Sequence, residues 1–553
     1  LDEEINLELS QLKLFQLTQF DLKAMNDRQK IYIFDTLLRD GTQSADISFS
    51  LEDKLRIAQE LDRFGIDYIE GGWPGSNPKD QLFFKKAASL PFQHAKLVAF
   101  GSTRRAKFTA ENDPNLKALL EAKTPAVAIF GKSWTLHVKK ALKISLDQNI
   151  DLISDSIAFM KKHGKEVIYD AEHFFDGYKD DPDYALRTLQ AAEKAGADTL
   201  VLCDTNGGTQ TLELLYIIKE VLQRVKSRVG VHLHNDSDMA VANTVAAVEA
   251  GCQHVQGTIN GYGERCGNAN LCSVIPNLQI KRDYACIPED QIPQITRVSR
   301  FISELANLAP VNGMPFVGTS AFAHKGGIHV SAVIKDSSTY EHIKPESVGN
   351  KREVLLSDLS GKSNLVYKAD ELGLDLSKHE DKIPEIINTL KQKEHEGYQY
   401  EGAEDSLKLL IKKVTGEWKS YFKLEGFRVL VEKDTDSDPR SEATVRMIVN
   451  DKKEHTAAEG DGPVHALDRA LRQALRPFYP EIKLLRLVDY KVRVINGKEA
   501  TGAKVRVLIE SAYGNKLINT VGVSENIDEA SWDALTDSVS WFLHEVDPEK
   551  IEN

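Results

Sequence analysis

His232 and His234 stand two residues apart in "VGVHLHN" (229–235). On an extended strand that spacing puts both imidazoles on one face. A same-face histidine pair at the end of a strand is a start for a divalent-metal site, and it needs further ligands. Asp40 is one candidate. It ends "YIFDTLLRDGTQ" (32–43), where an apolar run stops at Arg39-Asp40 on a glycine turn. Asp-Gly is a common way to leave a strand, so Asp40 either turns the backbone or also holds an ion. Asn268, in "NGYGERCGNAN" (260–270), offers an amide oxygen. Two nitrogens and two oxygens with no thiolate suit Mn²⁺, Zn²⁺, Co²⁺ or Mg²⁺ and do not choose among them.

An open divalent site beside an arginine suits a 2-oxo acid, whose keto oxygen and carboxylate chelate the ion. Arg39 would grip the carboxylate or the developing alkoxide. Gln43 follows on the same turn. Glu172 in "YDAEHFFDGY" and Thr205 in "LCDTNGG" are placed to hydrogen-bond the acid. Two more histidines, His324 and His329, lie five apart in the glycine-rich "FAHKGGIHVSA" (322–332), read as an irregular loop. Such loops serve as lids, and a near-neutral imidazole suits a general acid or base.

These residues need a scaffold that brings distant strand ends together. Between residues 31 and 280, eight β-branched runs alternate with charged, helical segments: 31–38, 67–72, 96–102, 126–132, 166–172, 199–205, 229–235 and 254–260. Eight strand-helix units over about 250 residues is the size of an α/β (β/α)₈ TIM barrel. The alternative, an open doubly wound sheet, would want a G-x-G-x-x-G turn after an early strand, and none is present. In a closed barrel, strands seven, eight and one are consecutive, so Asp40, His232, His234 and Asn268 can converge at one rim.

From about 281 to 405 the strand signal fades into helices and a Gly/Pro/Ser-rich stretch. From about 415 two β-β-β-α passes of similar length suggest an internal pseudo-repeat of α+β type. The expected organisation is an extension (1–30), a catalytic barrel (31–285), a helical connector with lid (286–410) and a regulatory, dimerising domain (411–553).

A formal net charge of −13 opposes nonspecific nucleic-acid binding. No apolar run reaches the ~20 residues that span a bilayer. Five cysteines, an odd number without a CxxC, argue against a disulfide framework and fit a reducing cytoplasm. The first 30 residues show no secretory pattern.

"DTLLRDGTQ", "HLHND" and "GYGERCGN", in this order, resemble the isopropylmalate synthase / homocitrate synthase family of acyl-CoA-condensing, metal-dependent barrels. "IEGGWPGSNPKD", "AFGSTRR", "IFGKSW", "YDAEHFFDGYK" and "LCDTNGG" are similar to its citramalate-forming branch. The resemblance runs from about residue 31 to the C-terminus and is more specific in the barrel than in the tail. It implies condensation of acetyl-CoA with pyruvate, then thioester hydrolysis. It places the family's metal ligands on Asp40, His232, His234 and Asn268, and its active-site arginine, glutamate and threonine on Arg39, Glu172 and Thr205. A lid histidine and tyrosine, given across a homodimer, fall on His329 or His324 and on Tyr340. The tail resembles a leucine-synthase-type allosteric domain, which implies feedback by an end product, isoleucine for a citramalate route. The glycine turns 458–463 and 521–526 are candidate contacts. Leu37 stands where the family usually has threonine. Sister condensations with other 2-oxo acids, a hydroxymethylglutaryl-CoA-type lyase and a non-catalytic metal-bound sensor are the competing readings.

Overall fold

Eight short parallel strands close on themselves: β1 (Tyr32–Asp35), β2 (Tyr68–Gly72), β3 (Lys96–Ser102), β4 (Ala126–Lys132), β5 (Glu166–Glu172), β6 (Thr199–Asp204), β7 (Arg228–Leu233) and β8 (His254–Gly257). The structure is a computed structural model that describes residues 28–356, 361–433, 435, 438–495 and 503–547. The extension read at 1–30 therefore lies almost wholly outside the described residues. Closure runs from Tyr32 opposite His254 to Asp35 opposite Gly257.

Inward side chains recur at every second position, as Val98 and Phe100, Ala126 and Ala128, and Val201 and Cys203, and they join Phe34, Tyr68 and Ile168 in one buried cluster. The outer helices start and stop where their sequence says. Ser50 and Asp53 form a capping box at helix Leu51–Phe64, which ends on left-handed Gly65 (φ 90°). Ser145 and Gln148 do the same for helix Leu146–Lys162.

Two strands, the first and the last, are three or more residues shorter than the sequence suggests. The run 31–38 yields a strand only to Asp35. The Asp35 carboxylate accepts from the backbone N–H of Leu37 (2.8 Å) and of Ile259 (3.0 Å). The first bond turns the chain and the second pins it to the segment after β8. Arg39 and Asp40 consequently sit on a turn beyond the strand, with Leu37 fully buried beneath it. The run 254–260 leaves the barrel at Gly257: Thr258 pairs with Asn270 instead, and Asn260 takes a left-handed conformation (φ 66°).

The chain divides into two compact units. The first comprises residues 28–322 with Lys344–Lys351, and the second comprises Ala323–Ile343 with the described residues from Arg352 onward. Residues 286–410, read as one connector, are shared between them. In the second unit β9 (Ala323–His324) pairs in parallel with β10 (Glu353–Val354). His329 is not in an irregular loop as expected. It lies on helix Gly327–Lys335, whose Val330 and Val333 are buried; the adjacent glycines only open that helix.

After helices Lys362–Glu371, Ile383–Glu396 and Glu404–Thr415, this unit repeats one plan twice. β11 (Lys423–Glu432), β12 (Arg440–Val449) and β13 (Lys452–Gly460) form an antiparallel meander followed by helix Pro463–Leu475. β14 (Arg486–Val494), β15 (Val505–Tyr513) and β16 (Lys516–Ser524) form another, followed by helix Ile527–Glu545. Each first strand carries a register shift near its start, at Leu424/Gly426 and at Leu487/Asp489. Val445, Met447, Leu471, Val507, Ile509 and Phe542 share one core. Among the described residues, no helix is long and apolar enough to cross a membrane.

Candidate active site

His232 is on β7, and His234 lies just past it, where a bridge pairs it with Asn268. The His232 and His234 Nε2 atoms are 3.4 Å apart. Asp40 Oδ2 lies 3.3 Å from His232 Nε2 and 3.9 Å from His234 Nε2. All three residues are buried, and their ligand atoms lie within 4.8 Å of one another. Asn268 is buried too. Gly263 leaves room for its amide, since a Cβ there would stand 2.6 Å from Nδ2.

Several buried polar atoms at this spot have no protein partner: Asp40 Oδ1, His234 Nδ1 and Asn268 Oδ1. Native interiors rarely leave such groups unsatisfied. Two of the orphans are oxygens that can only accept, so a cation satisfies them where another donor-free side chain could not. Burial pushes the Asp40 carboxyl up, but Arg39, His232 and His234 outweigh it and hold it well below the usual carboxylate range. Burial, aided by His232, pushes His234 down to about 4, leaving a neutral ring with a free lone pair. Two imidazoles, a carboxylate and an amide oxygen therefore fit a divalent ion. Cys203 lies nearby, but burial holds its thiol well above the ordinary value, so it offers no thiolate.

Arg39 is fixed from three sides. Its Nε donates to Glu70 Oε2 at 2.6 Å, its Nη1 lies 3.3 Å from Asp40 Oδ2, and its guanidinium sits 3.9 Å over the Phe100 ring. Burial favours a neutral Arg39, but Glu70 and Asp40 outweigh it and keep the guanidinium charged. Glu70 is the residue that orients the arginine.

Arg39, Asp40, His232 and His234 line a cavity of about 200 Å³. Its other wall is aromatic. Trp73 meets Phe100 and Phe130 edge-on (5.6 and 5.5 Å between ring centres), and the two phenylalanines stack at 5.3 Å. Gln43, Glu172 and Thr205 also line the cavity. Glu172 pairs with Lys132. Thr205 Oγ1 accepts from the His173 N–H at 2.9 Å, which leaves its own proton to donate.

His324, His329 and Tyr340 belong to the second unit. His324 Nε2 lies 3.2 Å from Glu341 Oε1, and Arg352 grips both Glu341 oxygens at 2.6 Å. His329 stacks on Tyr340 at 4.2 Å between ring centres. Sequence reasoning gave no role to Trp73, Phe100, Phe130, Lys132, Gln256 or Glu341. A usable signal existed for two: Phe100 and Phe130 follow the inward residues Val98 and Ala128 by two positions, so strand period alone turns them inward.

Residues 30–302 match the HMGL-like family, 316–397 the homocitrate synthase post-HMGL domain-like family, and 401–543 the LeuA allosteric (dimerisation) domain. The (R)-citramalate synthase of Aquifex aeolicus is 55% identical, over 95% of this chain and 99% of its own. That of Geobacter sulfurreducens is 54% identical, over 94% and 99%. A 2-isopropylmalate synthase of Methanocaldococcus jannaschii is 32% identical, over 94% and 96%. With nearly full-length identity above one half, the chain belongs to the (R)-citramalate synthase family.

Proposed function

We propose that this protein condenses acetyl-CoA with pyruvate and hydrolyses the resulting thioester to (R)-citramalate and CoA. The supporting observation is the cavity of about 200 Å³, lined by the charged Arg39 and Asp40, with the Phe100 ring under Arg39, and by the apolar rings of Trp73 and Phe130. A three-carbon 2-oxo acid places its carboxylate and keto oxygen at the charged groups and its methyl against the rings. Each added methylene must find room beside those rings, which is worth roughly 1–3 kcal/mol of discrimination.

A divalent ion held by Asp40, His232, His234 and Asn268 supplies Lewis-acid polarisation of the keto group when bound. Arg39, kept charged and oriented by Glu70, binds the carboxylate or the oxygen that gains charge as the new C–C bond forms. Thr205 donates its free hydroxyl proton to the acid. Glu172, partnered by Lys132, accepts from or orients it. A base takes a proton from the thioester methyl, the resulting carbon attacks the ketone, the oxygen that gains charge takes up a proton, and water then cleaves the thioester to a carboxylate and the free CoA thiol. His324, oriented by Glu341, has the wiring of a general acid or base. His329, stacked on Tyr340, is the other candidate.

The second unit is assigned feedback control by isoleucine, together with homodimer formation. In support, a cavity of about 650 Å³ lies beside helix Pro463–Leu475 and the start of β14. Lys483 and Arg486 suit a carboxylate, Asp468, which also pairs with Arg472, an ammonium, and Val464, Leu485 and Leu487 an aliphatic side chain. It lies next to the glycine-rich stretch 458–463, of which 458–460 end β13 and 461–462 turn the chain into the helix. Free cysteines at 203, 252, 266, 272 and 286 suit the reducing cytoplasm.

The test offers pyruvate, 2-oxobutyrate, 2-oxoisovalerate and 2-oxoglutarate separately with acetyl-CoA and titrates free thiol. Clear preference for pyruvate is expected. Preference for the branched acid would replace the assignment with an isopropylmalate-type one. Isoleucine added to the same assay is expected to inhibit; indifference to it would remove the feedback assignment.

A further inference from the structure

Gln256 is a fully buried, inward residue of β8, level with His232 of β7 in the barrel register. Its side-chain amide bridges two groups. Nε2 donates to Asp170 Oδ1 at 2.9 Å, and Oε1 lies 2.9 Å from His232 Nδ1. An amide has one donating and one accepting end, and its neighbours decide which faces which. Asp170 as a carboxylate only accepts, so it takes the NH₂ end. Burial, reinforced by Glu70, pushes Asp170 up to about 7, and above that pH it is ionised.

The carbonyl end then faces His232, and Nδ1 of that ring must carry the hydrogen. A neutral imidazole protonated on Nδ1 keeps its lone pair on Nε2. Nε2 is the atom that meets Asp40 Oδ2 and His234 Nε2. With the amide reversed, its NH₂ would claim the Nδ1 lone pair. The ring hydrogen would move to Nε2 and point into the acidic cluster, where it would exclude a cation.

We propose, on the reading of this cluster as a metal site, that Asp170 and Gln256 are positioning residues that lock His232 in its Nδ1–H form and so leave Nε2 free to bind a divalent cation. Neither residue touches the cation. The order is directional: Asp170 orients Gln256, and Gln256 orients His232. Asp170→Asn removes the direction, because either end of the new amide can face Gln256. Gln256→Leu removes the acceptor. The paired Asp170→Asn, Gln256→Glu change swaps donor and acceptor between the two positions, yet still leaves an acceptor facing Nδ1.

The test uses the metal-free full-length chain, labelled with ¹⁵N-histidine and held at pH 8.5. Long-range ¹H–¹⁵N spectra read the tautomer of His232, assigned as the signal lost in His232→Gln. The parent chain is expected to show Nδ1–H. Gln256→Leu and Asp170→Asn are expected to show a mixture or the Nε2–H form. Calorimetric titration with Mn²⁺ alone is expected to give about 10- to 100-fold weaker binding for both single variants. The paired variant should recover to within about threefold, a rescue that a merely structural role would not give. An Nε2–H form in the parent chain overturns the proposal, as does a Gln256→Leu chain that keeps both tautomer and Mn²⁺ affinity within twofold. A parent chain showing Nδ1–H but binding no Mn²⁺ would remove the metal reading and leave the tautomer lock standing.

Discussion

Arg39 Nε donates to Glu70 Oε2 at 2.6 Å, joining a half-buried side chain on the turn after β1 to a fully buried carboxylate on β2. The bond ties the turn after β1 to β2, and the Phe100 ring under the guanidinium fixes its plane. A planar, always-charged fork held this way can meet a carboxylate without reorganising.

Arg39→Lys should therefore cost much more than a charge-conserving change suggests. The ammonium keeps the charge but loses the fork and the ring contact. We expect kcat/KM for pyruvate to fall about 100-fold or more, with the circular dichroism spectrum unchanged. Glu70→Ala should instead strike stability, because it leaves a half-buried guanidinium with Asp40 as its remaining carboxylate, a loss of about 1 to 3 kcal/mol. Urea unfolding separates the two effects. A catalytically normal Arg39→Lys would detach Arg39 from the substrate.

Removing the ion should abolish turnover, and adding Mn²⁺ back should restore it. His234→Ala deletes one candidate ligand and leaves Asp40 facing one imidazole. We expect a loss of about 1,000-fold in thiol release together with loss of bound metal measured per chain. Full activity in chelator-treated, metal-free protein would end the Lewis-acid reading.

The barrel was legible because its signals are local: β-branched runs, helical segments with apolar spacing, and glycine stops such as Gly65. The His232/His234 pair was legible from strand period alone. The exact end of β1 was not, because it is set by Ile259, 224 positions away, bonding to Asp35. The helix under His329 was hidden by Gly326 and Gly327, which read as loop until burial of Val330 and Val333 is known. The aromatic wall comes from residues on or beside three strands and exists only once their register is set. Gln256 gave no chemical hint at all. Its interest arises because the register sets it beside His232.

Phe130 is the wall residue best suited to a specificity test. Phe100 carries Arg39, and Trp73 donates to Asn115 Oδ1 at 2.7 Å, so changing either disturbs more than the wall. Phe130→Ala should open space where a longer acyl chain would go. The ratio of kcat/KM for 2-oxobutyrate to that for pyruvate is expected to rise about tenfold or more, the scale of one methylene in a shaped apolar pocket. An unchanged ratio would show that the substrate methyl lies elsewhere.

His254 makes a prediction about pH that is independent of the active site. It is fully buried in the barrel, 5.5 Å from the Phe34 ring and 5.6 Å from Tyr68, and neither ring nitrogen has a hydrogen-bond partner. Burial, with Arg228 adding to it, pushes its pKa down to about 3 from an ordinary 6.5. Between those values the unfolded chain binds one more proton here than the folded chain does. Folding stability is therefore full above pH 6.5 and falls as pH drops towards 3. By pH 4.5 the loss from this one group is about 2 to 3 kcal/mol. His254→Leu, similar in volume and unable to titrate, should lose that much less stability between pH 7.5 and 4.5 than the parent chain. Urea unfolding at the two pH values measures the difference, and parallel losses in the two proteins would mean that the imidazole finds a proton acceptor or water inside the barrel.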